Sequence, residues 1–93
     1  MNTFHSFVPS ESRVILQAWI DELAINLLIT NPRKTKLGDF RVYKGRLYIS
    51  VNNNLNPYSF LITLTHELAH AFVYIEHSNK VLPHGLQWKT TFK

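Results

Sequence analysis

The segment His66-Glu67-Leu68-Ala69-His70 holds the residues of this chain best suited to chemistry. Two histidines four apart on a helix project from one face, one turn apart, and can grip a single zinc ion. Glu67, next to the first histidine, can reach a water at the metal without ligating it, take its proton and pass it to a leaving amine. That is hydrolytic chemistry. With His at roughly 2% and Glu at roughly 6% of ordinary chains, the pattern arises by chance in well under about 1% of chains this short. The competing reading is two core histidines hydrogen-bonded to backbone. Such groups are costly in an apolar helix unless something pairs with them, and a metal satisfies both.

The motif needs a helix to hold it, and its flanks supply one. Asn56 reads as an N-cap with Pro57 at the first helical position, and apolar residues run from Phe60 to Ile75. The helix is apolar on nearly every face, which predicts burial in the domain centre. Catalytic zinc takes three protein ligands and leaves one position open. Downstream of the motif the candidates are Glu76, His77 and His84. His77 would lie about 10 Å beyond His70 along an unbroken helix, out of reach. A sharp turn at a glycine three residues after the second histidine would change that, but Val73 stands there, Glu76 occupies the matching ligand position, and Met1 is the only methionine. Glu76 is expected as a surface or capping carboxylate. His84 remains: Ser78-Asn79-Lys80 ends the helix and Pro83-His84-Gly85 turns the chain back toward it. The spacing makes His84 the third ligand, against the plainer reading of a loop histidine beside a turn. Residues 86–92 then read as a short helix with Trp88 packing on the long one.

The first half of the chain reads as scaffold. Ser10 as N-cap, Glu11 in the first turn and the apolar positions Val14, Ile15, Ala18, Trp19 and Leu23 predict an amphipathic helix. Residues 25–30 could prolong it, but their β-branched content ahead of Asn31-Pro32 favours an edge strand. Residues 36–43 and 46–52 form a hairpin around Lys44-Gly45. A small twisted sheet packed against the two helices follows. One edge of it is expected to border the zinc cleft, where an extended peptide can add as a strand.

Charge is uneven. Of ten Lys and Arg residues, Arg33, Lys34, Lys36, Arg41, Lys44 and Arg46 fall between positions 33 and 46, against the single acid Asp39. The net charge of +4 comes largely from this stretch. A basic strip with Phe40, Tyr43 and Tyr48 nearby has the chemistry of a contact surface for phosphates or single-stranded nucleic acid. The competing reading is that the cations guard a strand edge against aggregation.

In order along the chain, Thr35-Lys36-Leu37-Gly38-Asp39-Phe40, a hairpin, Leu47-Tyr48-Ile49-Ser50-Val51-Asn52, a proline-led helix with His66-Glu67-Leu68-Ala69-His70-Ala71, and then His84-Gly85 with Trp88-Lys89 resemble the SprT-like family of zinc metallopeptidases. That family includes proteases that degrade proteins crosslinked to DNA. The resemblance spans about residues 33 to 93, and the order of motifs is more specific than any one of them. It implies an α+β, zincin-like fold, His66, His70 and His84 as zinc ligands, and Glu67 as general base. Many members continue into a cysteine-rich zinc ribbon, whereas this sequence has no cysteine. It looks like a catalytic core, either naturally minimal or a fragment.

Composition agrees with that scale. Ninety-three residues, 45% hydrophobic, make one domain over residues 1–93 with a small core, which a metal cross-link would help hold together. The lack of cysteine, of a charged-then-apolar leader and of a long uncharged apolar run predicts a cytoplasmic protein with no membrane span, and we expect a monomer. The favoured function is a zinc endopeptidase acting on proteins, including those held on DNA. The rivals are a non-catalytic, zinc-stabilised nucleic-acid-binding module and a metal hydrolase of another class, such as a nuclease. Glu67 separates the first two, because a structural zinc site needs no general base and fills its fourth position with a protein ligand.

Overall fold

The computed structural model describes residues 4–77. They form an α+β unit of two α-helices and a three-stranded mixed sheet, preceded by short 3-10 turns at Phe4–Phe7 and Ser10–Ser12. Helix α1 spans Arg13–Glu22, β1 Ile25–Thr30, β2 Gly38–Tyr43, β3 Arg46–Asn52 and α2 Pro57–His77. The C-terminal turn and short helix expected after residue 77 lie outside the described residues.

The strand order is β1-β3-β2, with β1 parallel and β2 antiparallel to β3. The hairpin therefore lays β3 in the middle and leaves β2 on one edge. Its two-residue turn takes φ of 50° at Lys44 and 77° at Gly45. Positive φ at both central positions matches the right-handed twist of the flanking strands, and Gly45 meets it without a side-chain clash. Residues 25–30 are a strand, as their β-branched content predicts, because α1 ends at Glu22 and Ala24 turns the chain at φ 53°. Glycine usually fills that left-handed position, so the sequence carries no conventional stop signal there.

Both helices cover one face of the sheet. In register across β1, β3 and β2, that face carries Ile25, Leu27 and Ile29, then Leu47, Ile49 and Val51, then Val42, Phe40 and Gly38. Leu16 and Ile20 from α1, Leu23 just after it, and Phe60, Leu64, Leu68, Ala71, Phe72 and Ile75 from α2 close the core over it. Two features correct the sequence reading. The core stripe of α1 is Leu16 and Ile20, continued by Leu23, while Val14, Ile15 and Ala18 are exposed and Trp19 packs at the margin. The first 3-10 turn also enters the core, through fully buried Phe4 with Val8 just beyond it.

The opposite sheet face is polar, and its best-defended feature is Asn52. This residue is 1% exposed; its Nδ2 donates to the Lys36 carbonyl at 2.9 Å, and its Oδ1 accepts from Arg33 Nε at 2.9 Å and from Thr30 Oγ1 at 3.4 Å. Arg33 Nη1 donates to Ser50 Oγ at 2.9 Å. The loop of residues 31–37 is thus tied down to the end of β3, and it delivers the chain to Gly38.

Candidate active site

Helix α2 starts as its sequence predicts: the Ser59 N–H donates to Asn56 Oδ1 at 2.9 Å, with Pro57 as the first helical residue. It is half-buried rather than buried all round. Tyr58, Ile62, His66, His70 and Val73 are exposed, while Phe60, Leu64, Leu68 and Phe72 face the core. Glu76, expected at the surface, is half-buried, and His77 is exposed at the end of an unbroken helix, where it cannot reach the motif.

His66 and His70 meet as the four-residue spacing predicts. Their Nε2 atoms stand 3.0 Å apart, with ring planes at 89°. Two nitrogens on one tetrahedral zinc, each bonded at about 2.0–2.1 Å, would sit about 3.3 Å apart, so the pair already approaches the geometry of a chelate. Among the described residues no third His, Cys, Asp or Glu joins them to complete a cluster. The expected third ligand, His84, lies outside the described residues.

Glu67 sits about 100° around the helix from His66 and about 60° from His70, and is 8% exposed. It lies between α2 and the edge strand: a Cβ added to Gly38 would stand 3.4 Å from Glu67 Cγ. On the same helix stripe, Thr63 Cγ2 would stand 2.6 Å from a Cβ added to Gly38, and Tyr74 meets Phe40 with ring centroids 6.1 Å apart. Edge strand β2 therefore runs alongside the helix face that carries Glu67, and among the described residues no strand pairs with its outer side.

The family comparison covers most of the chain. Residues 20–93 match the model of the SprT-like family. The chain belongs to that family. Comparisons with curated proteins and with solved structures give no match.

The basic stretch of this SprT-like chain is divided by the fold. Arg33 is held by Asn52 and Ser50, and Lys36 and Arg41 both pair with Asp39, at 3.4 and 3.1 Å. Burial raises the Asp39 pKa, but the Arg41 hydrogen bond and the Lys36 charge outweigh it and hold the carboxyl below its ordinary value. Lys34, Lys44 and Arg46 are exposed, with Lys44 Nζ 5.3 Å from the Tyr43 ring centre. Arg33, Arg41, Tyr43 and Tyr48 line a groove on the polar sheet face, whereas Phe40 points the other way, toward α2. Sequence reasoning missed the roles of Gly38, Thr63 and Asn52. A glycine at the head of a strand was the available signal for Gly38, since it marks a close backbone approach.

Among the described residues, no helix is long and apolar enough to cross a membrane.

Proposed function

We propose that this SprT-like protein is a zinc-dependent endopeptidase with a zincin-like core. The observation that carries the reading is the convergence of His66 and His70 at 3.0 Å beside a glutamate held against β2, an edge strand of the described sheet. His66 and His70 would hold the zinc, with His84 as the third ligand. When bound, zinc supplies Lewis acidity, polarising the peptide carbonyl and making a water acidic enough to attack near neutral pH. The extended peptide is bound by the N–H and C=O groups on the outer edge of β2, as an added strand. Glu67 takes the proton of the attacking water on a carboxylate oxygen and returns it to the departing amine nitrogen. The packing of Glu67 beside Gly38 of β2 supports that role, since a peptide added to this strand would pass close to it.

The polar sheet face supports a second element of the proposal. Tyr43 and Tyr48 line its groove, Arg41 there shares its charge with Asp39, and the exposed cations Lys34, Lys44 and Arg46 belong to the same basic stretch, a combination that suits a single-stranded nucleic acid. That face looks away from α2. Nucleic acid bound there would hold a protein substrate near the site without entering it. The binding-module alternative keeps this face and discards the hydrolysis.

The test is Glu67→Gln. Zinc content and thermal stability should stay near wild type while hydrolysis of an unfolded protein substrate falls about 10²-fold to 10⁴-fold. Equal cleavage by both proteins, under conditions where chelation abolishes it, refutes the role of Glu67. Cleavage by neither, with zinc bound, favours the binding module.

A further inference from the structure

The geometry points to Gly38 as a positioning residue for peptide hydrolysis: its missing side chain sets how closely the substrate-binding edge approaches Glu67. This rests on the endopeptidase reading and adds a residue to it. The glycine is required by space and not by backbone conformation, because Gly38 is absent from the positive-φ positions, which among the described residues are Ala24, Lys44 and Gly45. A Cβ built at Gly38 would meet Thr63 Cγ2 at 2.6 Å and the Ser50 carbonyl oxygen at 3.1 Å. The first distance falls about 0.8 Å short of the 3.4 Å at which ordinary contact begins. Thr63 is β-branched on a helix, so its side chain has few rotamers in which to move aside. The Ser50 oxygen belongs to the central strand.

The ladder adds a second duty at the same position. Asn52 N–H donates to the Leu37 carbonyl at 2.9 Å, so Leu37 turns its polar backbone groups toward β3. Backbone groups alternate sides along a strand. Those of Gly38, Phe40 and Val42 therefore face the outer edge, with which no strand pairs among the described residues, and Gly38 is the member of this set beside Glu67. A side chain at position 38 would wedge β2 away from α2 by most of an ångström. The edge could still bind peptide through Phe40 and Val42, but the scissile bond would be carried away from the glutamate and the histidines.

The experiment compares Gly38→Ala, Thr63→Ser and the double variant, using cleavage of an unfolded protein substrate by zinc-loaded protein, with kcat and KM measured separately and zinc content determined for each. Thr63→Ser removes the methyl that the new Cβ would strike and keeps the hydroxyl. Misplacement by about 1 Å can cost about 100-fold, so Gly38→Ala should lower kcat about 10-fold to 100-fold, with KM changed less than about threefold and zinc content unchanged. Against Thr63→Ser as its reference, the double variant should recover most of that loss. A fully active Gly38→Ala overturns the inference. So does a double variant that regains thermal stability but not kcat, because the contact would then be packing alone. Should Gly38→Ala fail to fold, the double variant against Thr63→Ser carries the same test. A zinc-loaded wild type that cleaves nothing removes the endopeptidase reading itself, whereas an active wild type beside an equally active Gly38→Ala removes this inference alone.

Discussion

Replacing Asn52 with alanine should be among the most damaging single changes at a position with no part in the chemistry. The side chain is 1% exposed and satisfies two groups at 2.9 Å, the Lys36 carbonyl and Arg33 Nε. Alanine leaves both without that partner. An unsatisfied buried group costs about 1–3 kcal/mol; Lys36 belongs near the middle of that range, and Arg33 near the bottom because it keeps Ser50 and can turn partly to water. The sum is about 3 kcal/mol, and for a domain of this size about 4–8 °C per kcal/mol gives a Tm fall of about 12–24 °C. Urea denaturation followed by far-UV circular dichroism should show the midpoint falling with the slope unchanged. Arg33→Ala breaks the same network, so the double variant should lose less than the two single losses combined. A loss under about 1 kcal/mol for Asn52→Ala, or strict additivity with Arg33→Ala, would show that the loop of residues 31–37 is held by something else.

His84→Ala should weaken zinc binding by more than the roughly 10-fold to 100-fold typical of losing an outer-sphere partner, while His77→Ala should leave it alone; metal analysis showing the reverse would reassign the third ligand. Charge reversal at exposed Lys34, Lys44 and Arg46 should cut the slope of log affinity against log salt for single-stranded DNA by about 2, and an unchanged slope would reduce these cations to edge protection. Asp39 has a folded-state pKa below its unfolded value, so its contribution to stability is present above about pH 4 and disappears as pH falls through the folded value. Asp39→Asn should therefore cost about 0.2–1 kcal/mol at neutral pH and flatten the loss of stability below about pH 4; an unchanged acid limb in denaturation curves would contradict that assignment.

What could be read from the chain depended on how local the cause was. Asn56-Pro57 announces α2 and Lys44-Gly45 announces the hairpin, because a cap and a two-residue turn act within a few positions. The convergence of His66 and His70 was legible for the same reason: helical spacing alone brings them together. The inward face of α1 was not. Val14, Ile15, Leu16, Ala18, Trp19, Ile20 and Leu23 offer apolar residues on several faces, and the neighbours decide which stripe is buried. Gly38 against Thr63, and Arg33 on Asn52, are contacts between distant parts of the sequence. In the sequence Arg33 reads as one more surface cation; its hydrogen bonds to Asn52 and Ser50 anchor it in the fold.

His66, Glu67 and Leu68 are consecutive, yet one faces solvent, one the strand edge and one the core. Each step of the helix turns through about 100°, so these assignments are fixed by a single rotational phase. One residue inserted between Phe60 and His66 would swing the whole motif by that angle relative to the apolar residues before it. The histidines would point toward the strand or the core, and Leu68 would come out toward water. No shift of neighbouring side chains could restore both sets at once. Helix α2 can therefore vary by substitution at its exposed positions, but not in the number of residues between its first core contact and its last.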